Sequence, residues 1–260
     1  MAGAKKKNIS DLLNDYHLLS FDMLDSTNEE AKRLAKAGGG HCAFIWANRQ
    51  TAGKGRMGRS WVSQEGNLFV SVLLQPPKPV AEFPQLSFVA ACAVLESLHG
   101  MLPPGKSNAL TCKWPNDILL DGKKVGGILL ESLQTSGQAA WVVVGVGINV
   151  DSFPPKTDFP ATCLKDAGVE LVSAKIILSR FIHHFIECYN EWNKKGFAPA
   201  RKYWSEHAWG AGGRMVARMD GKEIEGVSQG IDSEGALTLL LDSGRKERIL
   251  AADVFLAEEA

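Results

Sequence analysis

Apolar residues recur along the chain at two spacings, and the switches between them divide it into elements. Ile9, Leu12, Leu13 and Tyr16 stand at helical intervals, and Leu18 to Leu24 reads as a short strand. Ser26-Thr27-Asn28-Glu29 has the form of a capping box, with Ser26 or Thr27 capping a helix to about Ala37, where Gly38-Gly39-Gly40 stops it. Cys42 to Ala47 and Asn67 to Leu74 are apolar runs of strand length, separated by a loop rich in glycine and arginine. Phe83 to Leu98 places Leu86, Val89, Ala90, Ala93 and Val94 on one helical face. Three strands follow, Ala109 to Trp114, Val125 to Leu133 and Ala140 to Val150, and Asp121-Gly122 turns the chain ahead of the second. Ser173 caps a long helix through Trp192, with Ile177, Phe181, Phe185, Cys188 and Trp192 as its buried stripe.

From Gly212 the pattern shortens to brief strands with turns at Asp220-Gly221, Glu234-Gly235 and Ser243-Gly244, as in a small β-barrel or sandwich. The predicted architecture is α+β. A mixed β-sheet flanked by helices occupies residues 1–210 and a small all-β domain 211–260, the boundary falling near Trp209 to Gly213.

Composition narrows the function more than the fold. Lys+Arg and Asp+Glu are 29 each, so no overall field draws the chain to DNA or to an acidic membrane. Cys42, Cys92, Cys112, Cys163 and Cys188 are odd in number and lack CxxC spacing, which favours reduced thiols over disulfides or zinc. No uncharged run reaches transmembrane length, and Lys5-Lys6-Lys7 leads into polar residues rather than a signal core. A cytoplasmic protein is expected.

Anion binding must therefore come from local clusters. Arg49-Gln50-Thr51-Ala52-Gly53-Lys54-Gly55-Arg56-Met57-Gly58-Arg59-Ser60-Trp61 gathers cations and glycines between two apolar strands. Glycine lets backbone amides approach an anion, and arginine offers a planar fork for phosphate or carboxylate. Gly53 to Gly58 also spells GxGxxG. A dinucleotide fold would need a helix after it and an acid about 20 residues on. Arg59 to Ser63 leads instead toward a strand, and Pro76-Pro77-Lys78-Pro79 occupies the place of the acid. An exposed basic loop is the plain alternative.

A second cluster, Lys113-Trp114-Pro115-Asn116-Asp117, precedes Lys123-Lys124-Val125-Gly126-Gly127 by one turn, so a hairpin would bring Lys113, Asp117 and Lys124 together. Two lysines and a carboxylate can neutralise phosphate and orient a nucleophile or metal ion; a plain turn with an exposed lysine pair is the competing reading. Gly145-Val146-Gly147-Ile148-Asn149 is a strand with small residues, as where something approaches the backbone closely. His183 and His184 share a helix without the i, i+4 spacing of a ligand pair and read as structural.

Taken in order, these segments resemble the biotin–protein ligase family. Asp25-Ser26-Thr27-Asn28, the Gln50 to Arg56 loop, Lys113-Trp114-Pro115-Asn116-Asp117, Lys124 to Leu129 and Gly145 to Asn149 match its five motifs. The resemblance implies a class II synthetase-like catalytic domain with an SH3-like tail, and an enzyme that makes biotinyl-AMP from biotin and ATP with Mg2+. It then transfers biotin to a lysine of a biotin carboxyl carrier domain. Carried over by motif, Ser26, Thr27, Asn28 and Gln50 would hold biotin's ring and tail. Lys54, Gly55, Arg56, Lys124, Gly126 and Gly127 would surround its carboxylate, and Arg56, Met57, Arg59, Trp61, Asn116 and Asn149 the nucleotide. Lys124, Arg56, Lys113 and Asp117 would act in catalysis, with Asp117 the candidate for a metal ion or for the acceptor lysine's proton. Lys54 and Met57 stand where the family often carries arginine.

A lipoate–protein ligase, a ligase that also represses transcription, and a pure biotin-binding module are the alternatives. Only 25 residues precede Ser26, so a monofunctional ligase without DNA binding is expected, and a homodimer remains open.

Overall fold

A computed structural model describes residues 16–39, 42–105, 109–133, 140–157, 159–170, 172–219 and 221–257. Of the helix expected from Ile9 to Tyr16, all but Tyr16 lies outside the described residues, as do Lys5-Lys6-Lys7 and Asp220 of one expected turn. The strands are β1 (His17–Leu24), β2 (Ala43–Gln50), β3 (Leu68–Leu74), β4 (Leu110–Lys113), β5 (Asp117–Leu120), β6 (Lys123–Leu133) and β7 (Trp141–Ile148). They form one mixed sheet in the order β1-β2-β3-β7-β6-β5-β4, in which β1 and β2 are parallel and the other pairs antiparallel.

The two faces of this sheet differ. Phe44, Val70, Val72, Val144 and Val146 lie on one, buried with helices α2 (Gln85–His99) and α3 (Ala174–Lys195). The α3 stripe is as the sequence predicts, except that Cys188 is only half-buried. Ser173 caps α3, its hydroxyl accepting from the Ile176 amide at 3.4 Å. On the other face Ala43, Ile45, Leu73 and Val143 meet Ala31 and Ala35 of helix α1 (Thr27–Lys36), a smaller apolar cluster than the one across the sheet.

Two local expectations fail for identifiable reasons, and one helix was not expected. Ser26 occupies the cap position of α1 but its side chain makes no cap bond. Glu29 is drawn away to Lys32 and Lys54, and Gln50 Oε1 takes the Thr27 amide instead. The lysine clusters are joined by two hairpins rather than one, because Asp117-Ile118-Leu119-Leu120 is itself a strand. Helix α4 (Ala198–Glu206), which opens with a proline in its first turn, has no counterpart in the sequence reading.

The C-terminal strands β8 (Arg214–Met219), β9 (Lys222–Ile231), β10 (Leu237–Leu240), β11 (Lys246–Ile249) and β12 (Asp253–Leu256) make a separate antiparallel sheet, ordered β11-β10-β9-β8-β12. Its apolar side, including Met215, Ala217, Leu239 and Val254, joins the same buried core as α2. Trp114 Nε1 donates to Gly235 O at 3.0 Å, and a side chain at Gly235 would strike the Phe88 ring.

Candidate functional site

Strand register builds the floor of the site. Ala47, Phe69, Gly147, Gly127, Asp117 and Lys113 stand opposite one another on successive strands, so their side-chain directions share the face that carries α1. Ile45, Ser71, Gly145 and Leu129 form the parallel row two residues away. Where the rows carry glycine, other side chains descend onto the sheet. Asn28 of α1 sits over Gly145, and the Trp61 ring lies so close to Gly147 that an added Cβ there would come within 2.6 Å of it. The small residues of β7 thus admit the protein's own Asn28 and Trp61.

Above this floor lies a cavity of about 570 Å³, lined from all five motif segments. Ser26, Thr27, Asn28, Gln50, Lys54, Gly55, Arg56, Arg59, Trp61, Lys113, Asn116, Asp117, Lys124, Gly127 and Asn149 all reach it. Two expected residues do not. Met57 is at the tip of the glycine loop with φ 54° and is 72% exposed. Gly126 faces Ile118 and Ile148, on the side of β6 opposite to Gly127.

At the end beside α1 the lining residues Ser26, Thr27 and Asn28 are neutral and buried, and Gln50 is half-buried. Gln50 Oε1 accepts from the Thr27 amide at 2.7 Å, while its Nε2 donates to Ser63 Oγ at 2.9 Å. Ser71 Oγ lies within 2.7 Å of Thr27 Oγ1 and 2.5 Å of Asn28 Oδ1, and Asn28 Nδ2 donates to Glu131 at 2.8 Å. Neither Ser71 nor Glu131 was singled out from the sequence, although a lone serine inside Phe69-Val70-Ser71-Val72-Leu73 is a signal that something polar meets that strand.

The other end carries charge. Lys124 Nζ is 2.6 Å from Asp117 Oδ1 and 5.5 Å from the Trp61 ring centre. A bulge sets this geometry. Ile118 pairs with Gly126 and Leu119 with Lys124, so one extra residue of β6 turns Lys124 onto the face of Gly127, which its alternation would deny it. Arg56 donates to Asn116 Oδ1 at 3.1 Å, and Asn116 Nδ2 donates to Ile128 O at 2.7 Å, so Asn116 orients the arginine. Burial lowers the Arg56 pKa, with Asp253 and Asp117 opposing, but a guanidinium stays charged. Lys113 is 6% exposed and its ammonium lies 4.7, 5.4 and 5.8 Å from the ring centres of Phe159, Phe255 and Trp209. Burial pulls its pKa below the usual lysine value, against the pull of Asp117.

Asn149 is 3% exposed and uses its amide to hold the following segment, Nδ2 donating to Thr162 O at 3.0 Å. That segment brings Pro154, Lys156, Thr157 and Phe159 to the cavity wall, and the C-terminal sheet adds Arg218, Asp253 and Phe255. No sequence motif marks these seven residues, because only chain reversal and domain packing carry them there. Trp61 packs against Gly127 and Gly147 with its indole N–H buried and unbonded among the described residues. His183, His184 and Glu187 place potential ligand atoms within 4.8 Å of one another on α3, away from the cavity.

Similar proteins agree with this geometry. The biotin/lipoate A/B protein ligase family matches residues 21–149, and the biotin protein ligase C-terminal domain family matches residues 212–257. The chain is 38% identical to the bifunctional ligase/repressor BirA of Bacillus subtilis, covering 92% of this chain and 74% of that one. It is 38% identical to the biotin–[acetyl-CoA-carboxylase] ligase of Paracoccus denitrificans, over 89% of this chain and 97% of its relative. A biotin protein ligase from Aquifex aeolicus, solved with biotin and ATP, superposes with a TM-score of 0.78 at 28% identity, covering 93% of this chain and 99% of the other. The motifs, the two sheets and the cavity between them are those of one family, and the chain belongs to the biotin protein ligases.

Proposed function

We propose that the cavity binds biotin at its neutral end and ATP across its charged end, joins them as biotinyl-5'-AMP, and passes biotin to a lysine of a biotin carboxyl carrier domain. The observation that carries this reading is one continuous cavity, with buried neutral hydrogen-bonding groups at one end and Lys124, Arg56 and Lys113 at the other. A uncharged polar ring with a carboxylate tail matches that division.

The chemistry needs no enzyme nucleophile. A biotin carboxylate oxygen attacks the α-phosphorus, the bond to the bridging oxygen breaks, and pyrophosphate leaves. The acceptor amine then attacks the acyl carbon of the mixed anhydride and AMP departs. What the protein must supply is juxtaposition of two anions, charge stabilisation and exclusion of water. In this reading Lys124 holds the carboxylate and α-phosphate, Arg56 covers their junction, and Trp61 borders the adenine. Met57 and Gly126, which do not line the cavity, have no direct part in this scheme.

Among the described residues, the carboxylates lining the cavity are Asp117 and Asp253, each already paired with a cation. That set suits a magnesium ion carried in on the phosphates better than a protein-built cage. Asp117 would be the residue to hold Mg2+, which would supply charge to neutralise the leaving pyrophosphate. In this reading Asp117, freed from Lys124 as the lysine turns to the anhydride, takes the acceptor lysine's proton. The equal numbers of acidic and basic residues favour a carrier protein, rather than DNA or a membrane, as partner. Among the described residues no helix is long and apolar enough to cross a membrane.

Incubation with biotin and Mg-ATP should yield biotinyl-AMP by mass spectrometry, and addition of a carrier domain should consume it. Lipoate offered in equal amount should give far less adenylate. Preference for lipoate, or biotin binding with no ATP–pyrophosphate exchange, would refute the assignment.

A further inference from the structure

The loop over the cavity is fastened on two opposite sides. Its stems are joined by the Lys54–Ser60 bridge, by the Gly55 amide donating to Arg59 O at 2.7 Å, and by the Trp61 amide donating to Gly53 O at 2.9 Å. Gly53 is needed at this crossing, since a side chain would come within 2.5 Å of Trp61 O. One stem is tied to α1, where Lys54 Nζ lies 2.6 Å from Glu29 Oε1. Lys54, and then Lys32, hold that carboxylate below its usual pKa. The other stem is tied to a different sheet. Arg59 Nη2 lies 2.7 and 2.9 Å from the two carboxylate oxygens of Asp253, 194 residues further along the chain.

Asp253 is a fixed anchor. It begins β12, whose next residue, Val254, is fully buried in the core, and alternation directs Asp253 and Phe255 together toward the cavity. Phe255 in turn touches Lys113. Among the described residues, the C-terminal sheet therefore reaches the covering loop through the Arg59–Asp253 ion pair, whose members are 50% and 40% exposed, available to be made and broken.

We propose that Asp253 is a positioning residue that, through Arg59, holds the glycine loop down on the adenylate, so that the C-terminal sheet sets how long the intermediate is retained. This rests on the loop covering biotinyl-AMP.

The test uses the full chain loaded with biotin and Mg-ATP, with bound and free biotinyl-AMP separated by rapid filtration over time. Asp253→Asn should release the adenylate about fivefold faster, the change an exposed ion pair supports, and release should accelerate more than synthesis slows. Asp253→Glu should restore retention to within about twofold, as the carboxylate returns. The double variant R59Q/D253N should release no faster than R59Q. Added salt should speed release from the wild type more than from D253N, because screening acts on the exposed pair; this comparison stands even if D253N loses some thermal stability. Equal release from wild type and D253N, or a D253E variant as leaky as D253N, would overturn the latch and leave the ligase assignment standing. A wild-type protein that makes no biotinyl-AMP would overturn the assignment and the latch with it.

Discussion

The two ends of the cavity hold their groups by different physics. Beside α1, buried Thr27, Ser71 and Asn28 and half-buried Gln50 form a neutral group bonded into position before any ligand arrives. A buried polar group is costly unless bonded, so such a network is rigid and its geometry selects by shape and hydrogen-bond pattern. Beside the C-terminal sheet, Lys124, Arg56 and Arg59 are held by provisional partners, Asp117, Asn116 and Asp253. Those partners keep cations in place yet leave them able to exchange for phosphate. On the proposed reading, one end recognises biotin and the other neutralises charge and lets go.

The sharpest way to break the charged end is Lys124→Ala. Adenylate synthesis should fall about 100- to 1,000-fold, as when one donor to a developing charge is removed, while biotin binding and the thermal melting temperature change little. Single-turnover formation of biotinyl-AMP measures it, and a loss under tenfold would put the charge stabilisation elsewhere. The matching break at the neutral end is Gly145→Ala. Its methyl would collide with Asn28 Oδ1, whose amide is fixed by Ser71 and Glu131 and has little room to yield. Overpacking of this kind costs about 1–3 kcal/mol, and it should appear in the biotin dissociation constant by calorimetry, with ATP affinity nearly unmoved. Equal losses for both ligands would mean that the ends are not independent.

Arg56→Gly addresses the seam between them. It removes the fork held by Asn116 and should raise free biotinyl-AMP about tenfold, an effect of roughly 1.4 kcal/mol, seen as biotin label on bystander proteins in the same tube. Label confined to the carrier domain would deny Arg56 its covering role. The smallest effect tests whether acid sensitivity lies outside the cavity. Burial, and then His207, lower the His99 pKa below the ordinary 6.5; burial, and then His183, do the same to His184. The unfolded chain binds these protons first, so the stability they contribute is complete above pH 6.5 and is lost as pH falls through their lower folded values. Urea melts from pH 7.5 to 5 should show declining stability, with a shallower slope for His99→Gln. An unchanged slope would remove His99 from the account.

The sequence by itself determined the parts whose cause is local. Alternation and helical spacing located β1, β2, β3 and β7 and helices α1, α2 and α3, because an apolar face must be buried whatever buries it. The glycine–arginine loop and the lysine clusters were legible because anion chemistry demands unusual residues at close spacing, and their family order named the activity. What lay beyond the sequence depended on contacts between distant segments. Four polar-flanked residues made β5 a strand only because β4 and β6 pair on either side of it. The capping pattern at Ser26 and Glu29 gave way to lysines and a glutamine brought from elsewhere in the fold. Met57 shares its motif with cavity residues yet points outward, since a tight turn decides direction and spacing does not. Asp253 and Phe255 had no motif at all, and entered the site because the core places β12 beside it. Lys124 reaches Asp117 through a single bulged residue in β6. A one-residue change in strand pairing reverses which face a side chain takes, and only the packed sheet, where the partner strand and the residues beneath it fix the register, could decide it.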